Sequence, residues 1–181
     1  MKTRILTIAP YQGLKEMINE AISDRDDLEM TIRIGDLANG LEIVRSYDLD
    51  DFDIIISRGG TAKMISANIT IPVVEIEISV YDILRAIKLA ENYSNRFAII
   101  GYPAITNCAK MLCNLLQYDI EIITLDENSE PHQQMEQLKN QGYEMVLCDM
   151  VGTSIARELG MNFILITSGK ESVEAALDQA V

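Results

Sequence analysis

Hydrophobic residues recur along the chain in two alternating patterns. Short apolar runs, such as residues 4–9, 53–57 and 97–101, are typical of strands buried on both faces of a sheet. Between these runs, apolar residues such as Leu14 and Ile18 repeat at the spacing of amphipathic helices. Because single helices separate successive strands, the strands must run parallel. The pattern therefore predicts an α/β fold.

The second half of the chain repeats the order of the first at an offset of about ninety residues, too long for a solenoid repeat. The matched segments are 4–10 with 96–102, 52–57 with 143–148, Gly60-Thr61 with Gly152-Thr153, 72–76 with 162–166, and 83–86 with 173–176. A general likeness between any two α/β units is the alternative, but the shared order of elements favours duplication. We predict two similar Rossmann-like lobes in three αβα layers, each with a four-stranded parallel sheet. The predicted lobes are residues 1–80 and 81–181, with allowance for terminal helices that cross between them.

Charge and cysteine usage narrow the class of protein. The chain has 28 acidic and 15 basic residues and a net charge of −13, which opposes binding to nucleic acid. No apolar run approaches the roughly 20 residues that span a bilayer, and the amino terminus lacks a secretory cleavage site. The three cysteines lack CxxC spacing and are typical of reduced thiols. These features predict a soluble, cytoplasmic protein without nucleic-acid or membrane contacts.

The strongest chemical signal is the segment Ser57, Arg58, Gly59, Gly60 and Thr61, at the end of a predicted strand and the start of a helix. Ligands of open α/β sheets bind at this edge, where a helix start offers unpaired N–H groups. Arg58 adds a donor fork suited to carboxylate or phosphate. The alternative is a tight turn in which Thr61 caps the helix. The spacings of the P-loop and of the dinucleotide fingerprint are absent.

Other predicted ligand-binding residues follow strands elsewhere in the chain. They are Tyr11, Tyr102, Asn107, Asp149, Ser168, Gly169, Lys170 and Ser172. For each of them, helix capping, loop packing or a solvated side chain is the alternative role.

Residues that are common in catalysis and metal binding are scarce. His132 is the only histidine and lies in a polar stretch, so we predict a surface position for it. One histidine and three dispersed cysteines do not make a zinc site, and a solvated loop explains the acidic run at residues 48–53. The methionines lie on apolar faces and are interpreted as core residues. We predict no catalytic activity, metal or cofactor for this chain.

Several segments together resemble the amino-terminal sensor domain of the propionate catabolism activators, the PrpR-type regulators. They are residues 54–62, 71–76, 81–86 and 168–172, together with Gly142 and Asp149. The resemblance covers essentially the whole chain. It implies a two-lobed, chelatase-like domain that precedes an AAA+ ATPase and a DNA-binding helix-turn-helix domain in a sigma-54-dependent (NtrC-type) activator. The chain would then be an excised domain that ends at Val181.

The resemblance implies a ligand sensor. The namesake's ligand is 2-methylcitrate, a tricarboxylate, and we expect a small anionic metabolite, carboxylate or phosphate, in a cleft between the lobes. Binding would control the downstream ATPase, which uses ATP, and thereby sigma-54 RNA polymerase; a homodimer is compatible with this prediction. Cys148 departs from the family pattern, which has glycine before the aspartate. The alternative function is a small chelatase-like or other α/β enzyme acting on an anionic substrate.

Overall fold

The computed structural model describes residues 2–181. Strands and helices alternate along it in the order β1 (Thr3–Ala9), α1 (Gln12–Ala21), β2 (Leu28–Ile34), α2 (Leu37–Arg45), β3 (Ile54–Arg58), α3 (Gly59–Asn68), β4 (Val73–Ile76), α4 (Val80–Glu91), β5 (Phe97–Gly101), α5 (Pro103–Leu116), β6 (Glu121–Thr124), α6 (Pro131–Asn140), β7 (Met145–Cys148), α7 (Met150–Glu158), β8 (Asn162–Leu165) and α8 (Lys170–Gln179). A short 3₁₀ helix, Leu49–Asp51, precedes β3.

The strands form two four-stranded sheets with the same topology. The strand orders are β2-β1-β3-β4 and β6-β5-β7-β8, and every neighbouring pair is parallel. Helices cover both faces of each sheet. The predicted α/β fold with two parallel sheets in three layers is confirmed.

The chain divides into two compact units. The first unit contains the chain up to Glu77 together with Ser168–Val181, and the second unit is Ile78–Thr167. The sequence predicts a boundary between residues 80 and 81 and allows terminal helices to cross between the lobes. The structure groups α8 with the first unit.

In the first unit, the alternation of side chains along β1 divides the core between the two faces of the sheet. Ile5 and Ala9 face α1 and α8, where they join a cluster with Leu14, Ile18 and Leu177. The opposite face of the sheet packs on α2 and α3 through a second cluster, made of Leu6, Ile8, Val44, Ile55 and Ile65. Since α8 packs against both α1 and β4, it completes one helical layer of this unit.

The second unit is built in the same way around β5. Phe97 and Ile99 pack on α4 and α5, whereas Ala98 and Ile100 pack on α6 and α7. Burial on both faces explains why these central strands are continuous apolar runs in the sequence. The two units have therefore exchanged helices: α4 follows β4 but packs in the second unit, and α8 follows β8 but packs in the first.

One local expectation is wrong: Met111 is 64% exposed on α5, so its place on an apolar helix does not make it a core residue. The acidic residues of the run at 48–53 are exposed, as predicted. Local contacts fix part of this segment: Asp48 accepts a hydrogen bond from the Asp50 N–H at 3.2 Å, and Asp53 forms a 2.8 Å ion pair with Arg4. His132 lies exposed at the start of α6, as predicted.

The packing of α8 yields a stability prediction. Leu177 is fully buried in the core of the first unit, so Leu177→Ala should lower the free energy of unfolding by about 2–5 kcal/mol through lost burial and a cavity. Denaturation in urea measures this change. Val181→Ala, at an exposed position of the same terminus, is the control and should stay within about 0.5 kcal/mol of the parent. A Leu177→Ala protein with the same free energy of unfolding as the parent would contradict the assignment of α8 to this core.

Candidate functional site

The segment after β3 leads directly into helix α3. Arg58 is the last residue of β3 and the N-cap of α3, with extended backbone angles. The next residue, Gly59, has a φ of +56°, a conformation that glycine adopts without the strain a side chain would bring. The chain thus turns sharply at the carboxyl edge of the sheet and directs the Arg58 side chain from that edge.

Arg58 meets Tyr11, which follows the neighbouring strand β1. Arg58 Nη1 donates a hydrogen bond to the Tyr11 hydroxyl oxygen, with 3.0 Å between the two atoms. The guanidinium carbon lies 5.6 Å from the centre of the tyrosine ring. Arg58 is only 6% exposed, so its charge lies in a partly desolvated environment. Two of the predicted ligand-binding residues therefore come together at one edge of the first sheet.

Ser168, which precedes α8, also contacts Tyr11. Its backbone N–H donates to the Tyr11 hydroxyl at 3.0 Å. Its side chain is 2% exposed, and the buried Oγ has no hydrogen-bond partner among the described residues 2–181. We call the Arg58 guanidinium and the hydroxyls of Tyr11 and Ser168 the donor cluster.

The donor cluster has hydrogen-bonding capacity left over. In both of its bonds the Tyr11 hydroxyl oxygen accepts, so neither bond uses the hydroxyl proton. A buried hydroxyl without a partner, such as that of Ser168, costs about 1–3 kcal/mol and is uncommon in folded proteins. An oxyanion placed here would accept these protons.

The hydroxyls of Ser57 and Thr61 are used within the fold. Ser57 Oγ donates to the Ile8 carbonyl at 2.8 Å and ties β3 to β1. Thr61 Oγ1 donates to Asp36 and accepts from the Leu37 N–H, both at 2.9 Å, and thereby holds Leu37 at a φ of 45°. At Gly60, a Cβ would lie 3.1 Å from Leu37 Cδ2, so this glycine makes room for Leu37. These three residues support the turn, and their predicted contact with a ligand stays a prediction.

The other predicted residues are distributed over both units. In the first unit, Gly169 is the N-cap of α8, Lys170 is exposed and lies 3.5 Å from Glu174, and Ser172 is buried in the first turn. Tyr102, Asn107 and Asp149 belong to the second unit. Tyr102 and Asp149 are the N-caps of α5 and α7, where Asp149 accepts from the Gly152 N–H at 2.9 Å, and Asn107 is exposed on α5. Their ligand-binding role remains a prediction.

Glu75 is a residue of this edge that sequence reasoning missed. It lies opposite Ser57 in the pairing of β4 with β3. Burial raises the pKa of the Glu75 carboxyl above its ordinary value, although Lys63, the Gly59 N–H and Arg58 act in the opposite direction. A charged residue within the otherwise apolar strand β4 was the available signal. Its carboxylate interacts with the same N–H group and guanidinium that an anionic ligand would use.

In the part of the chain that the structure describes, no group of three or more His, Cys, Asp or Glu side chains is arranged to hold a metal ion. Among residues 2–181, none of the helices combines the length and the apolar character that a bilayer crossing requires.

Burial raises the pKa of the Cys148 thiol strongly, and Asp149 adds to this effect, so Cys148 stays protonated at neutral pH.

The raised pKa of Glu75 predicts a pH-dependent stability. A carboxyl whose folded-state pKa lies above its unfolded value of 4.5 favours folding at acidic pH, and this contribution is lost as the pH rises through the folded pKa. Glu75→Gln removes the cost of the buried charge, so it should raise the free energy of unfolding at pH 7. The gain should shrink as the pH falls toward 4.5. Urea denaturation across this pH range measures it.

Glu121→Gln, at an exposed position in β6, is the control and should change stability little at any pH. A Glu75→Gln protein less stable than the parent at pH 7 would show that the carboxylate's bonds to the turn outweigh its desolvation.

A family of known proteins matches the sequence of this chain, and a solved structure shares its fold. Residues 24–181 match the family described as "Propionate catabolism activator". The chain is similar to the crystal structure of an NtrC family transcriptional regulator from Clostridium acetobutylicum, with a TM-score of 0.82 and 22% identity over 99% of this chain and 95% of that one. A second solved structure is the transcription regulator CcpA of Lactococcus lactis, with a TM-score of 0.49 and 15% identity over 99% of this chain and 90% of that one.

The likeness to the Clostridium structure shows the fold, and the family match confirms the resemblance predicted from the sequence. Because this match spans most of the chain, the protein belongs to the propionate catabolism activator family, as a regulatory sensor domain of a transcription activator.

Proposed function

We propose that this domain senses a small anionic metabolite, a carboxylate or a phosphate, that binds at the donor cluster. The observation that carries the proposal is the buried Arg58 guanidinium, held against a tyrosine hydroxyl beside the unpartnered Ser168 hydroxyl. Hydrogen bonds between arginine and an oxyanion are charge-assisted and about twice as strong as neutral ones. A site of this kind therefore favours an anion over a neutral ligand of the same shape.

The chemistry of the cluster suits an oxyanion with several oxygens. One oxygen can accept from the Arg58 fork while others accept the hydroxyl protons of Tyr11 and Ser168. Glu75 opposes this binding, because its carboxylate lies in the field of Arg58 and repels a second negative charge. Selectivity would then depend on how well a ligand's oxygens match the three donors.

Tyr11 also connects the proposed ligand site to helix α8, so ligand binding can affect the packing of that helix. Its hydroxyl accepts one hydrogen bond from the Arg58 guanidinium and another from the Ser168 backbone N–H. Ser168 is the first residue of the segment with which the chain returns to the first unit. A ligand that redirects the Tyr11 hydroxyl alters the contact that holds the start of α8. Such a ligand shifts the population between two arrangements in proportion to its difference in affinity for them.

The output that we propose is control of a downstream AAA+ ATPase in a cytoplasmic, sigma-54-dependent activator. The family membership of the chain supports this assignment.

Substitution of Arg58 tests the site. A thermal-shift screen with 2-methylcitrate, citrate and inorganic phosphate identifies a ligand, since a tight binder raises the unfolding temperature by mass action. Calorimetry should then show a loss of about 2–5 kcal/mol in binding free energy for Arg58→Ala, the range for truncating one partner of a buried charge pair. Arg45→Ala, at an exposed arginine of α2, is the matched control and should bind as the parent does.

Tyr11→Phe and Ser168→Ala remove single hydroxyls and should each weaken binding by less than Arg58→Ala does. A folded Arg58→Ala protein that binds with the parent's affinity would show that the segment is only a turn. If none of the three anions binds the parent, these ligand classes are wrong.

A further inference from the structure

Two buried hydroxyl groups of the first unit form no hydrogen bond. They belong to Thr7 and Ser168, which are 0% and 2% exposed. Among residues 2–181, their oxygens are the buried side-chain polar atoms without a partner. A hydroxyl that loses its hydrogen bonds to water on burial, and gains none within the protein, destabilises the arrangement that buries it.

Thr7 lies in the middle of the apolar layer between the first sheet and the helices α1 and α8. It is on β1 between Ile5 and Ala9, and because side chains alternate along a strand, its side chain faces the same apolar cluster as theirs. Its partners in the neighbouring strands, Ile32 of β2 and Ile56 of β3, belong to that cluster too. These neighbours offer no polar side chain, so the Thr7 hydroxyl gains a hydrogen bond when water reaches this layer.

Ser168 lies directly before the N-cap of α8, the helix that closes this layer against α1 and β4. The residues of α8 in the apolar cluster are Val173, Ala176, Leu177 and Ala180. Two of the four are alanines, whose burial contributes less than that of valine or leucine. The ion pair between Asp178 of α8 and Arg25 leaves the aspartate side chain 71% exposed, and exposed pairs of this kind add little stability. Few large contacts therefore hold α8 in place.

We propose that α8 is a locally opening element of the first unit, which separates from α1 and the sheet while the sheet remains folded. In the docked arrangement, the apolar face of α8 is buried but the hydroxyls of Thr7 and Ser168 have no partner. Separation exposes that face and restores the hydrogen bonds of both hydroxyls to water. The opening therefore costs less free energy than unfolding of the whole unit. Elements that move in regulation come from such regions of low local stability. The proposal requires no ligand.

Hydrogen exchange of backbone amides, followed by NMR on the ligand-free domain, tests the opening. The protection factors of the α8 amides should be at least about tenfold lower than those of the β1 amides, because α8 opens without unfolding of the sheet. Exchange from α8 should also depend less on low concentrations of urea, since a local opening exposes less surface. Equal protection and equal urea dependence for α8 and β1 would overturn the proposal, because α8 would then open only with the whole unit.

Substitution of the two hydroxyls tests the cause of the opening. Thr7→Val removes one hydroxyl and keeps the shape of the side chain, so the docked arrangement no longer buries an unpaired polar group. Exchange of the α8 amides should then slow by about 5- to 100-fold. Ser168→Ala removes the other hydroxyl and should slow this exchange by a similar factor.

Thr61→Val is the matched control. Thr61 is also buried, but its hydroxyl donates to Asp36 at 2.9 Å, and α3 packs on the opposite face of the sheet from α8. This substitution should therefore change exchange from α8 by less than about threefold. Unchanged or faster exchange from α8 in both Thr7→Val and Ser168→Ala would show that the unpaired hydroxyls do not cause the opening.

Discussion

The burial of α8 against α1 and β4 is the interaction on which the first unit and its candidate site depend. It completes one face of the sheet around Leu14, Ile18 and Leu177. It also brings Ser168 to within hydrogen-bonding distance of Tyr11 and thereby adds a third donor to the edge where Arg58 emerges. The position of α8 in the core and the geometry of the donor cluster are thus coupled, because a shift of α8 also moves Ser168 relative to Tyr11.

The two units carry opposite charges at equivalent positions of their matching topologies. Arg58 and Asp149 are each the N-cap of the helix that follows the third strand of their sheet, at the carboxyl edge. Asp149 fills this role in the usual way, by accepting from a backbone N–H of its helix. Arg58 cannot accept a hydrogen bond, and the start of α3 faces the Glu75 carboxylate instead. The divergence at this one position gives the first unit a cation where the second has an anion.

The sequence predicted the order, type and parallel pairing of the elements because burial on both sheet faces leaves long apolar runs and helical periodicity. It also identified Arg58, Tyr11 and Ser168 as candidates, since each follows a strand. All three were expected at one ligand site, but the sequence did not predict that Tyr11 contacts both Arg58 and Ser168, because these contacts join residues 47 and 157 positions apart and depend on how α8 packs. Local spacing likewise could not reveal that the hydroxyls of Ser57 and Thr61 are used inside the fold.

The two units also differ in how their residues are arranged along the chain. The second unit is one continuous segment, whereas the first is interrupted by it and is completed by the last fourteen residues, Ser168–Val181. Domains generally fold as units while the ribosome is still adding residues. The second unit can therefore fold as soon as its own segment has been synthesised. The first unit starts earlier but keeps the apolar faces of α1 and β4 uncovered until α8 arrives. Synthesis that stops early thus leaves the donor cluster unassembled even though Arg58 and Tyr11 were made first.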